Sequence, residues 1–241
     1  MIDNRMTGDQ IAAARPTIAV FGIGAIEQHS HHLPVATDWI TVSEISRRVA
    51  EELNALLIPA IPFSMSECHG PMKGTVWLKP ATLSAVLQDV AASVHAHGIK
   101  HLLVLNGHGG NFVLEPTIQK LNQTYPDLLV IMPAEVWGGT SDGEPIFETG
   151  HLGIHAGEAE TSTELYLNGP NVGPDRIDYV PPVGREFLDY LFMNKISPEG
   201  VWGHATLGDA DKGERAVAAQ VRSVLAFVEM VMAAFGEKEG N

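Results

Sequence analysis

Four apolar runs of strand length recur along the chain, and between them the apolar residues fall at helical spacing. The runs are TIAVFGI (17–23), LLIPAIP (56–62), IKHLLVL (99–105) and DLLVIMP (127–133). They are largely continuous rather than alternating, as strands buried on both faces must be. After the first run, Trp39, Val42, Ile45, Val49 and Leu53 form a helical stripe. After the second, Leu83, Val86, Leu87, Val90 and Val94 form another, closed by Gly98 where a left-handed cap belongs. Residues 111–124 and 160–167 give two more helices, the latter stopped by Asn168-Gly169-Pro170. Parallel strands need a crossover, and crossover helices must cover both faces. The pattern therefore predicts an α/β fold, a three-layer α/β/α sandwich with a mainly parallel sheet. A last stripe (Val217, Val221, Val224, Leu225, Val228, Val231, Met232, Phe235) is expected to close the core. The Gly-, Pro- and Asp-rich stretches 138–155 and 170–204 read as loops, and with no repeat or linker the whole of 1–241 reads as a single domain.

A chain of 241 residues that is 45% hydrophobic can bury one full core. Its net charge of -14, with 15 scattered Lys and Arg, excludes an extended basic face, so neither nucleic acid nor an anionic membrane surface is an expected partner. The apolar stretch VLAFVEMVMAAF is broken by Glu229 and is shorter than the roughly 20 residues of a bilayer span, so no transmembrane segment is expected. One cysteine, Cys68, allows no internal disulfide, and MIDNRMTGDQIAAARP lacks the apolar core of a secretion signal; the expectation is a cytoplasmic protein. The unusual feature is 11 histidines.

Several of these follow the first strand, in GIGAIEQHSHHLPVATDW (22–39). GIGAIE begins like a dinucleotide fingerprint, but Glu27 replaces the third glycine and would repel a pyrophosphate, and Pro34 separates strand from helix. A metal reading fits better. Glu27 and His29 are two apart at a strand end, where alternation sends both side chains to one side, and Asp38 can swing back from the next helix unless it merely caps that helix. In HLLVLNGHGGN, His108 and Asn111 occupy a glycine-rich turn after another apolar strand. GIHAGEAETSTELYL supplies His155, Glu158 and Glu160 at a loop-to-helix junction; Glu160 and Glu164 share a face and Glu158 points elsewhere. Carboxylates and imidazoles without thiolates suit Zn, Mn or Fe, and an Asp able to bridge makes two ions plausible.

The blocks E-Q-H-x-x-H-L-P-x-x-T-D (27–38), N-G-H-G-G-N (106–111) and H-A-G-E-x-E-T-S (155–162) together resemble the creatininase (creatinine amidohydrolase) family, as do MTGDQIAAA and the Phe63–Thr75 stretch. The resemblance implies a metal-dependent hydrolase of non-peptide amides that uses two divalent ions and assembles as a homo-oligomer, a hexamer. It implies Glu27, Asp38 and His108 on one ion, with His29 and a bridging Asp38 on the other. Gly110 stands where creatininase carries a further carboxylate, so creatinine itself is a doubtful substrate, and Glu160 is predicted to supply the missing ligand. His155 is the candidate acid for the leaving nitrogen. Ser66 and Asn111 are expected to bind the small-molecule substrate, and Trp137 to wall the pocket. His31, His32, His69 and His151 are expected to tune the site, whereas His95, His97, His101 and His204 read as surface or packing residues. The predicted reaction is cleavage of a cyclic amide or formamide. The alternatives are another family reaction, such as formamide deformylation, peptide trimming or the opening of a lactone or keto-inositol ring, and a non-catalytic polyol-binding metalloprotein.

Overall fold

A computed structural model describes residues 1–133, 140–141 and 144–239. Five parallel strands form the central sheet: β1 (Ile2–Asp3), β2 (Ile18–Ile23), β3 (Leu56–Ile61), β4 (His101–Asn106) and β5 (Leu129–Ile131), in the order β1-β3-β2-β4-β5. The α/β expectation holds. Between strands run α1 (Gly8–Ala14), α2 (Thr37–Glu52), α3 (Pro80–Ala96) and α4 (Leu114–Thr124). After β5 come a ribbon of β6 (Thr140–Ser141) with β7 (Glu144–Pro145), then α5 (Glu158–Asn168), β8 (Asp178–Tyr179), α6 (Met193–Ile196), β9 (Gly203–His204) paired with β8, and the long α7 (Ala210–Glu239). The 170–204 stretch is thus less bare than a loop reading suggests.

Alternation along the central strands divides the core. Ala19, Phe21, Ile23, Leu102 and Val104 face α3 and α4 through Leu83, Leu87, Leu114 and Ile118. Val20, Leu103 and Leu105 face α2 and α7 through Val42, Val49, Val221, Val224 and Val228. Each large side chain fully buried in this way contributes about 1.5–3 kcal/mol of transfer free energy. By length and composition α7 could cross a membrane, which the interrupted stretch alone did not suggest; its apolar stripe here lies on the sheet, while its other face, with Met230, and its end, with Phe235, are exposed.

Helix α4 starts at Leu114, three residues later than the spacing predicts, because Asn111 is held in the preceding turn by Met65 and Asn106. The chain passes from β2 to β3 on one side and then to β4 on the other, so a crevice opens at the carboxyl ends of β2 and β4, where ligands of open α/β sheets collect.

Candidate metal centre

Ile23 and Asn106 are register partners, so the loop after β2 and the turn after β4 leave the sheet side by side. The first turns of α2 lie directly on both strand ends. A Cβ on Gly24 would fall 2.5 Å from Trp39 Cα, and one on Gly107 would fall 2.6 Å from Val42 Cβ. These glycines, one of them from GIGAIE, admit a helix rather than a phosphate. The close approach carries Asp38, buried in the first turn of α2, between the two strand ends; Ala36, not Asp38, is the N-cap.

Asp38 reaches both ways. His29 Nε2 lies 3.5 Å from Asp38 Oδ1, 3.8 Å from Glu160 Oε1 and 4.0 Å from Glu27 Oε1. On the other side, His108 Nδ1 is 3.0 Å from Asp38 Oδ2, and His108 Nε2 is 3.4 Å from Glu27 Oε2. Two donor sets result, Glu27–Asp38–His108 and His29–Asp38–Glu160, each with its ligand atoms within 4.8 Å of one another. A third, Glu27–His29–His155, overlaps them, with His155 Nδ1 at 3.4 Å from Glu27 Oε1. Glu160 enters from the first turn of α5, and its other oxygen accepts from the N–H of Ala156, a residue held at φ 49. Gly110 explains why no carboxylate projects from its own position: a Cβ there would fall 2.4 Å from His108 Nε2 and 2.6 Å from the Met65 carbonyl.

The imidazoles share one arrangement. His29 Nδ1 donates to the Glu27 carbonyl at 3.0 Å, His108 Nε2 to the Met65 carbonyl at 3.1 Å and His155 Nε2 to the Gln28 carbonyl at 2.7 Å. A carbonyl only accepts, so each bond puts hydrogen on that nitrogen and turns the other toward the carboxylates. No Lys or Arg pairs with Glu27, Asp38 or Glu160 among the described residues, and Glu27 Oε2 and His29 Nε2 are buried without a hydrogen-bond partner. The carboxylates are balanced only by protons. Burial would push His108 down, but Glu27 and Asp38 outweigh it and hold its pKa up to about 9. Burial opposes the His29 charge too, and Asp38 and Glu160 raise it well above the ordinary value. Burial lifts Glu27 to about 7 against the pull of His108. His155, buried and facing His29 and His69, is held well below its ordinary value, hence neutral. A buried set of preoriented nitrogens and uncompensated carboxylates fits divalent cations.

Other expectations fare unevenly. His69 joins the cluster, with Nε2 3.9 Å from Glu27 Oε1 and its ring 4.4 Å from that of His155. Its only signal in the sequence was its place in the Phe63–Thr75 stretch. His32 lies behind the site, bonded to Thr161 Oγ1 at 2.9 Å; His31 is exposed and pairs with Glu199, and His151 is exposed. Ser66 and Asn111, expected on the substrate, do not line the cavity: Ser66 is fully buried, and the Asn111 amide bonds to Met65 N and Asn106 Oδ1. Trp137 lies outside the described residues. Glu158 does point elsewhere, to Lys212 Nζ at 2.7 Å and to the N–H groups of Glu148 and Thr149. Cys68 lines the wall, its thiol pushed up to about 12 by burial and by Glu27.

Glu27, Asp38, His108, His155 and Glu160 lie at one end of a cavity of about 1030 Å³. The 310 turn Arg185–Asp189, the residues after it, Phe112 and Ile154 also line it.

A family model described as creatininase, creatinine amidohydrolase, matches residues 4–228. The chain is 27% identical over 220 residues to a creatinine amidohydrolase of Pseudomonas putida, covering 84% of this chain and 85% of that one. It is 30% identical over 230 residues to a mycofactocin precursor peptide peptidase of Mycobacterium tuberculosis (89% and 85% covered). To a 3-dehydro-scyllo-inosose hydrolase of Thermotoga maritima it is 25% identical over 249 residues (90% and 78% covered). Among solved structures, a creatinine amidohydrolase superposes with a TM-score of 0.84 at 22% identity, covering 95% of this chain and 97% of that one. A mutant creatininase of Zn–Zn type gives 0.82 at 23% (95% and 97% covered), and a creatininase with Mn gives 0.81 at 22% (95% and 98% covered).

Proposed function

The chain belongs to the creatininase family, whose members named above are all hydrolases, and we propose that it is a metal-dependent amidohydrolase of one domain that cleaves a non-peptide C–N bond, in a cyclic amide or formamide. The single observation that carries the reading is Asp38, which serves two donor sets at once. Glu27, Asp38 and His108 would hold one divalent ion, and His29, Asp38 and Glu160 a second, with Zn or Mn favoured by the relatives' structures. Such ions lower the pKa of water toward neutrality and polarise the amide carbonyl. The protein's part is orientation and proton transfer. Backbone carbonyls of Glu27, Met65 and Gln28 fix the three imidazoles. His155, with its Nε2 hydrogen committed to Gln28, keeps Nδ1 free of hydrogen and facing the cluster. That nitrogen takes a proton from the attacking water and returns it to the leaving nitrogen, which must depart neutral. A single cysteine, an acidic surface and the family's habit extend the proposal to a cytoplasmic homo-oligomer.

Metal analysis of protein purified without chelators, followed by a screen of cyclic amides, formamides and lactones, tests the proposal. Two equivalents of metal and turnover of a cyclic amide or formamide are expected. In His155→Ala the metal should stay and turnover should go; unchanged turnover removes His155 from the mechanism, and metal-loaded protein inert on the whole screen favours a binding role.

A further inference from the structure

The cavity has two unlike ends. Its floor is the acid and imidazole cluster, whereas its mouth carries Phe112, Ile154, Tyr190, Leu191 and Phe192, between 41% and 81% exposed, around one permanent cation, Arg185. Arg185 is the sole Lys or Arg on the described lining, and among the described residues no carboxylate pairs with it. One of its N–H groups donates to the carbonyl of Gly109, the residue next to His108, which pins the guanidinium over the site turn. Cys68, whose thiol feels this charge and that of Glu27 in opposite directions, lines the same cavity.

Resting on the amidohydrolase reading, we propose that Arg185 anchors a carboxylate on the substrate while the apolar mouth holds an apolar or aromatic group beside it. The substrate class is then an N-acylated, above all N-formylated, amino acid with an apolar side chain. A guanidinium with one donor committed still offers a planar fork to a carboxylate. A single cation matches a monoanion; the carboxylates of Glu67, Glu186 and Asp189 on the same lining would repel a phosphate dianion. The apolar residues suit a side chain and would be poor neighbours for a phosphate or a sugar. Hydrolysis of N-formyl-L-phenylalanine consumes one water, breaks the formyl C–N bond and yields formate and phenylalanine.

The test uses metal-loaded protein and two probes that cannot be hydrolysed in the proposed sense, 3-phenylpropanoate and the uncharged 3-phenylpropanol, by calorimetry on wild type, Arg185→Met and Arg185→Lys. Expected is at least tenfold tighter binding of the acid by wild type, a loss of most of that preference in Arg185→Met with alcohol binding and metal content unchanged, and partial recovery in Arg185→Lys. Equal binding of both probes, binding of neither, or an acid preference that survives Arg185→Met overturns the subsite. A parallel assay of N-formyl-L-phenylalanine against its methyl ester separates the two readings. Acid-selective, Arg185-dependent binding without turnover leaves the subsite standing and counts against the hydrolase, and turnover with no preference for the acid does the reverse.

Discussion

The floor and the mouth of the cavity are built by opposite means. Floor residues are mostly buried, their imidazoles are fixed by hydrogen bonds to backbone carbonyls, and they sit at strand ends whose register the sheet dictates or on the first turns of α2 and α5. Mouth residues stand on short turns with their side chains exposed, and of them Arg185 bonds to the site turn. A buried polar site is costly to alter because each member satisfies another, whereas an exposed apolar wall can change residue by residue. The relatives act on creatinine, a precursor peptide and an inosose, a spread that one floor with interchangeable mouths accommodates.

The sharpest way to break this contrast is Asp38→Asn, which strikes both donor sets. Activity should fall on the order of 10³-fold, about 4 kcal/mol, with metal lost by elemental analysis and the fold intact by circular dichroism. Metal retention would mean that the floor does not act as a unit.

A second probe is metal removal across pH. In metal-free protein His108 keeps its proton to about 9 instead of 6.5. That stabilisation is complete below pH 6.5, declines as pH climbs through the 6.5–9 window and is gone above it, at most about 3 kcal/mol. Glu27, raised to about 7 from 4.5, adds an earlier loss of the same sign, between pH 4.5 and 7. The melting temperature of chelator-treated protein should therefore drop by roughly 10 °C across the His108 window, and divalent ions should restore it. A flat profile would show the floor to be free of charge strain.

Gly110→Ala comes next: its Cβ would push His108 or the Met65 carbonyl aside, and misplacement of this kind costs about 10²-fold in rate. Activity near wild type would show that the turn yields. The smallest effect is expected at the mouth. Tyr190→Ala, at 81% exposure, should leave stability within about 0.5 kcal/mol, metal content and kcat unchanged, and raise KM several-fold for substrates with an apolar group. Loss of metal in that variant would erase the distinction between the two ends.

What was legible in the sequence divides along the same line. β2, β3, β4 and β5 announce themselves as continuous apolar runs, and the Gly98 cap is where the helix signal places it, at φ 83. Glu27, His29, Asp38, His108 and Glu160 could be gathered because each follows a readable strand or opens a readable helix. β1, two residues long, carries no periodicity, and α1 went unread although Thr7 and Gln10 form a capping box. Glu158 looked like an acid in a helical first turn; its partner Lys212 is 54 residues away, beyond any local pattern. Nothing local to Asn111 reveals that Met65 and Asn106 hold its amide. Arg185 sits in a stretch without period, so only the folded chain brings it to Gly109.

Ala156 carries a last implication. A non-glycine residue in left-handed backbone costs about 1–2 kcal/mol, and this one joins His155 to the α5 turn bearing Glu160 while donating its N–H to that carboxylate. The corner is wound like a spring against its own ligand, and the metals would be the latch. On warming, catalysis should fade at lower temperature than the sheet melts, since a strained corner opens locally before the whole chain unfolds.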